Sequence, residues 1–335
     1  MVEVPILDSN RRVKPKQLGA NAGDASTILY GDGVFRSAPS GGGGGTVTTS
    51  SKTVRGVYAL GWDNMTVQTV HGNYNTIYLF NAEPASGGNG SITWPYAKPT
   101  NMQTRRSQGT KILLSCGGAG ATFSFDTRTQ STNFVNSVIA LHTSWGGTQA
   151  APVLDGIDMN TYEASASRNV TEYTWICAQF RAYFGAGFII TSPPAPWNGT
   201  DKTFCKALLD NGSFDYVSPQ LYDGGGNPVV PSVSNIVDKI TQWVNEVASG
   251  DASKIAVGWG FNPSQPNDYS TLAQIQESWS QLKAAFPSLR GGYVWSGTTD
   301  KNAGWPVATW MGSATTTNAG GGGGGGNMYH VLDTA

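Results

Sequence analysis

Leu154-Asp-Gly-Ile-Asp-Met-Asn-Thr-Tyr-Glu163 alternates apolar residues with carboxylates and amides. That is how a short strand reads when one side is packed and the other carries polar groups. The spacing predicts a strand over Val153–Asp158 whose far end turns steadily more polar. If the alternation continues past the strand, Asp158, Asn160 and Tyr162 share one side and Glu163 points to the other.

Seven further strings of the same kind surround it. They are Gly56–Trp62, Thr76–Asn81, Lys111–Cys116, Gly187–Thr191, Tyr216–Leu221, Ile255–Trp259 and Gly292–Trp295. Most are continuous apolar runs, as expected of parallel strands covered on their outer face by helices. Helical strings lie between them. Phe134, Val135, Val138, Ile139 and Leu141 form one face behind a cap at Ser131 or Thr132. Others run through Val170–Phe180, Phe204–Leu208, Ile236–Val247 and Leu272–Leu282. The crossovers after the first two strands are weakly helical. Eight strands with helical crossovers predict an α/β fold closed as a (β/α)8 TIM barrel over residues 54–312.

Two glycine runs bound this body, Gly41–Gly45 and Gly320–Gly326. Glycine-rich chain gains little from burial and loses much backbone entropy on ordering, so residues 1–53 and 313–335 read as extended Gly-rich arms. The first arm, with Ile6, Leu7, Ile28, Leu29 and Phe35 and a tight turn at Gly31-Asp-Gly33, is too short for a core of its own.

Composition narrows the function classes. A net charge of -1 gives no reason to expect a nucleic-acid partner. No run of eighteen apolar residues exists, so no membrane span is expected, and Met1–Asp8 lacks the basic start and apolar run of a secretory signal. Cys116, Cys177 and Cys205 are odd in number and sit in apolar strings, which predicts buried free thiols rather than a disulfide framework. With three histidines and no metal spacing, neither a metal nor another cofactor is implied.

In barrels of this kind the carboxyl ends of the strands build the site. Those ends carry Ser115-Cys-Gly-Gly118 on strand three, Asp155-Gly-Ile-Asp-Met-Asn-Thr-Tyr162 on strand four, Gln220-Leu-Tyr-Asp223 on strand six and Trp295 on strand eight. Together they resemble glycoside hydrolase family 18, the chitinases and their sugar-binding relatives, over roughly 255 residues and in the same order. The family's strand-four motif is aspartate-x-x-aspartate-x-aspartate-x-glutamate. On it, Asp155 and Asp158 match the first two aspartates and Asn160 stands in the place of the third. Tyr162 occupies the place of the catalytic glutamate, and Glu163 comes one residue late. Gln220, Tyr222 and Asp223 match the strand-six motif, and Trp295 matches the floor of the sugar subsite.

The resemblance implies a retaining, substrate-assisted mechanism. The acid protonates the glycosidic oxygen, the substrate's own acetamido oxygen attacks the anomeric carbon, and the strand-six tyrosine hydrogen-bonds that acetamido group. A tyrosine, with a reference pKa of about 10, is poorly placed to be that acid near neutral pH. Three readings follow. The barrel is a catalytically silent relative that keeps a groove for N-acetylglucosamine-type glycans. Alternatively, a bulge turns Glu163 into the mouth and an active chitinase or endo-N-acetylglucosaminidase degrades host surface polysaccharide. In the third, the barrel is a purely structural spacer. Trp62 after strand one, Trp259 at the end of strand seven and Trp295 offer ring faces for sugar stacking, while Asp300 and Trp305 are placed to rim the groove.

The first arm resembles the short linker repeats of bacteriophage tail-fibre and related virion proteins, through Pro5-Ile-Leu-Asp8, Pro15-Lys16 and the Gly31-Asp-Gly33 turn. That resemblance implies a virion location, in a tail fibre or capsid appendage, and otherwise an extracellular one. It also implies other virion proteins as neighbours and a homotrimer that buries the arm's apolar residues and sums weak glycan contacts through avidity.

Overall fold

The computed structural model describes residues 53–314, apart from 122, 163–167, 223–231 and 266, together with the backbone of 27–29 and 35–37. All eight expected strands form. They are β1 (Val54–Leu60), β2 (Thr76–Pro84), β3 (Lys111–Gly117), β4 (Gly156–Asn160), β5 (Ile189–Ser192), β6 (Tyr216–Val217 and Gln220–Leu221), β7 (Ala256–Gly260) and β8 (Gly291–Trp295). Each pairs in parallel with its sequence neighbour, and β8 pairs with β1. Strand six seals the ring in two pieces, Tyr216–Val217 against β5 and Gln220–Leu221 against β7. The break falls at Ser218-Pro219, where proline has no N–H to give to a ladder.

Around the ring lie α1 (Met102–Ser107), α2 (Arg128–Ser144), α3 (Val170–Phe184), α4 (Gly199–Asp210), α5 (Val233–Gln242), α6 (Leu272–Ala285), α7 (Gly297–Asn302) and α8 (Pro306–Ala314). After β1 there is only a single 3-10 turn, Gly61–Asp63. Helix α2 starts a turn earlier than its apolar face implies. Its cap is Thr127, in a capping box with Gln130, and Ser131 lies inside the helix.

Alternation along the strands sorts the core into two layers. Val57, Ile77, Leu114, Ile157 and Val257 face outward and pack with Phe134, Tyr173, Ile240 and Ile275 of the helices. Tyr58, Tyr78, Leu113 and Tyr293 face inward and fill the barrel. The three cysteines are buried and free, and burial pushes the Cys177 thiol up to about 12. No helix among the described residues is long and apolar enough to cross a membrane.

In the first arm, Thr27–Leu29 pairs antiparallel with Phe35–Ser37. The Gly31-Asp-Gly33 turn and both glycine runs lie outside the described residues.

Candidate active site

The floor of the barrel mouth is a set of hydroxyls around one carboxylate. Asp158, on β4, is buried, and its Oδ2 accepts from the Tyr58 hydroxyl of β1 and the Ser115 hydroxyl of β3, each at 2.7 Å. Tyr58 stacks on Tyr78, with ring centroids 4.8 Å apart, and meets Tyr293 edge-on at the same distance. The Tyr222 and Tyr293 hydroxyls are 3.1 Å apart. Burial, followed by the charge of Asp158, pushes the Tyr58 phenol well above its ordinary range, so it remains a proton donor.

Above the floor the strand ends open into a cavity of about 410 Å³. Asn160, Gln220, Tyr222 and Trp295 line it from β4, β6 and β8, and Trp62, Phe80 and Tyr96 line it from the β1–β2 side. The Tyr222 and Trp295 rings lie parallel, with centroids 6.0 Å apart. Trp62 leaves 48% of its surface exposed beside the opening. Two glycines let the strand ends meet. A Cβ on Gly117 would fall 2.0 Å from the Asn160 carbonyl, and one on Gly118 would fall 2.5 Å from the Phe80 ring. Both take positive φ, and the Gly118 N–H donates to that same carbonyl at 2.8 Å. Gly117 and Gly118 are thus required by close approach, and the Gly118 N–H holds Asn160 at the rim.

The chain does not keep its alternation beyond Asn160. The Thr161 hydroxyl lies 2.6 Å from the Tyr173 hydroxyl on α3, on the helix side. Tyr162 is on the helix side too, with its hydroxyl 2.6 Å from Ser192 Oγ and its ring edge-on to Phe204 of α4. Arg168, ion-paired to Asp201, donates to the Tyr162 carbonyl. Two successive residues therefore face outward, and Tyr162 does not stand in the mouth beside Asp158 and Asn160. The cause is the end of the ladder. Pairing of β4 stops at Asn160, and beyond it packing decides which side a ring takes. Glu163 and Asp223 lie outside the described residues.

Four other expected site residues sit elsewhere. Asp155 precedes β4 at the opposite end of the barrel, where it pairs with Arg106 and Lys111 and accepts from the Ile112 N–H. Trp259 is buried under α6 and α8 against Trp279 and Trp310, with its indole N–H donated to Ser278. Parity explains this, because Gly258 and Gly260 face the barrel and leave residue 259 on the helix side. Asp300 is buried, and it accepts from Tyr74 and from the Val307 and Ala308 N–H groups at the start of α8. Trp305 packs beside Tyr74 rather than at the rim. Ser115, expected at the strand-three end, belongs to the floor, and so do Tyr58 and Tyr293, which in the sequence read as ordinary members of apolar strings. For the two tyrosines the signal was parity: both stand at inward positions of their strands, while Ser115 pairs directly with Asp158.

The family model described as glycosyl hydrolases family 18 matches residues 57–301. Among curated proteins, the chain is 24% identical over 205 residues to chitinase 2 of Rhizopus oligosporus, covering 59% of this chain and 36% of that one. It is 30% identical over 196 residues to a chitinase of Enterococcus faecalis, covering 52% and 51%. The chain thus spans between about a third and a half of the first curated relatives it matches. A family GH18 chitinase from Chromobacterium violaceum superposes with a TM-score of 0.66 at 17% identity, covering 90% of this chain and 91% of that one, which speaks for the fold. On the match across 57–301, which takes in the strand ends just described, the chain belongs to glycosyl hydrolases family 18.

Proposed function

We propose that this chain is an active, retaining endo-glycosidase of the chitinase type that cuts polymers of N-acetylglucosamine, with Glu163 as its general acid. The observation that carries the proposal is the outward placement of Tyr162. Catalytic silence rested on a tyrosine standing where the acid belongs, and that tyrosine is packed against α4. With Tyr162 out of the mouth, Glu163 is the first carboxylic acid to follow Asn160 in the chain, and the proposal gives it the acid's role.

The chemistry then divides among named groups. Glu163 gives its proton to the glycosidic oxygen as the C–O bond breaks, and the substrate acetamido oxygen closes on the anomeric carbon from the other face. Asp158, held by Tyr58 and Ser115, supplies negative charge beneath the developing oxazolinium ion. Tyr222 and Asn160 line the cleft where the acetamido group would lie, as hydroxyl and amide partners. Glu163 then acts as base for the water that opens the ring, so the anomeric configuration is retained. The chitinase names of the curated relatives support the same substrate class.

A second reading, sugar binding without turnover, draws on Asn160, an uncharged amide where the motif has an aspartate. One experiment separates them. Proton NMR of chitotetraose incubated with the chain should show cleavage with the β-anomer formed first. Glu163→Gln should slow the reaction by about 10²- to 10⁴-fold, the range for a lost general acid. Binding with no cleavage by the unsubstituted chain would establish the second reading instead.

A further inference from the structure

One wall of the cleft carries a carboxylate that the proposed chemistry does not use. Glu83, near the end of β2, is half-buried and lines the cavity with Trp62, Asn81 and Tyr96. Its place is fixed by structure on both sides. The backbone pairs with Thr93 of the short strand Ile92–Thr93. The Tyr96 hydroxyl lies 3.3 Å from Glu83 Oε1 and 3.0 Å from Asn81 Oδ1, sharing one proton between two acceptors. Asn81 is in turn anchored by donating to the Gly117 carbonyl at 2.9 Å. Gly61 makes room for this arrangement, since a Cβ there would fall 2.2 Å from the Tyr96 ring.

Among the described residues, no lysine or arginine lines the cleft and none pairs with Glu83. Burial and the adjacent Glu83 charge raise the Tyr96 phenol, so it remains a donor. A carboxylate without a cation, beside the half-exposed indole of Trp62, offers an ammonium group both a counter-charge and a ring face. In an N-acetylglucosamine polymer the group of that kind is the free amine of a deacetylated unit.

We infer that the Trp62–Tyr96–Glu83 wall is a subsite for glucosamine, so that the cleft favours partially deacetylated chitin over the fully acetylated polymer. The inference rests on the cleft being a sugar-binding groove, as proposed above. An acetyl group at this position would present an uncharged amide to Glu83. Free amine would instead form an ion pair in a half-enclosed site, where screening is weaker than at an open surface.

The test is calorimetric titration of the full chain carrying Glu163→Gln, so that substrate persists. The probes are tetra-N-acetylchitotetraose and the four tetramers with one free amine each. At about 20 mM salt, the tetramer whose amine reaches Glu83 should bind about fivefold more tightly than the fully acetylated one. The advantage should vanish in the Glu83→Gln background. It should also shrink strongly in about 0.5 M salt, a readout that needs no change at Glu83 and holds if that variant folds poorly. Four singly deacetylated tetramers binding no better than the acetylated one would overturn the inference, as would an advantage that survives Glu83→Gln or high salt. Hydrolysis of the fully acetylated tetramer by the unsubstituted chain reads the proposed activity separately, so the two can fail independently.

Discussion

Tyr58 of β1 and Ser115 of β3 aim their hydroxyls at a single oxygen of Asp158. Such an arrangement is sensitive to single atoms. Removing one donor from a buried carboxylate leaves that group under-satisfied, at a cost of about 2 kcal/mol. Tyr58→Phe should therefore lower the urea-unfolding free energy by about that much, and it should also slow turnover. An unchanged unfolding midpoint would mean that Asp158 does not depend on the Tyr58 hydroxyl. At this scale the sequence was partly legible. Asp158, Asn160, Gln220, Tyr222, Trp62 and Trp295 all reach the mouth or its floor. Trp259 reads the same way in the sequence as Trp295, and only its flanking glycines at 258 and 260 mark it as outward. Tyr162 failed for a different reason. Alternation is a property of a hydrogen-bonded strand, and β4 had already ended.

Among the elements, the eight strands are where the apolar runs put them, while the helix ends moved with their caps. Thr127 caps α2 because its hydroxyl can reach the Gln130 N–H and the Gln130 side chain can return the bond. That reciprocity is visible in the text as Thr-x-x-Gln, ahead of the apolar face. The other end of α2 carries a pH-sensitive packing. His142 is buried edge-on to Phe184, and burial lowers its pKa below the ordinary value, with the nearby Arg106 charge adding to the effect. The folded protein therefore prefers neutral imidazole. For a base whose folded pKa is depressed, the unfolded chain binds the extra proton first. The stability contribution is complete above about pH 6.5 and is lost as pH falls below it toward the folded pKa. The melting temperature should fall between pH 7 and pH 5, and the fall should be smaller in His142→Gln. Equal slopes in the two proteins would remove His142 as a cause.

Across the whole molecule, the two ends of the barrel do different work. At the amino-terminal end a single device recurs. The residue just before β2, β4 and β6 accepts the backbone N–H at the start of the preceding odd-numbered strand: Asn75 from Arg55, Asp155 from Ile112, and Asp215 from Ile190. Arg106 and Arg181 then pair with the two aspartates. This end stabilises and does not react, so Asp155→Asn should cost about 2 kcal/mol in unfolding free energy while kcat per folded molecule stays level. A large drop in kcat would return Asp155 to the site. The carboxyl-terminal end holds the aromatic cleft, built on strand ends that glycines allow to converge. The central claim is that the chain turns Tyr162 out of this cleft and leaves the acid's role to the next residue. The most direct measurement is kcat on a fluorogenic chitobioside for Tyr162→Phe and Glu163→Gln, side by side with the unsubstituted chain. Near-normal turnover is expected for Tyr162→Phe and a loss of about 10²-fold or more for Glu163→Gln. A collapse in Tyr162→Phe with Glu163→Gln unaffected would contradict it.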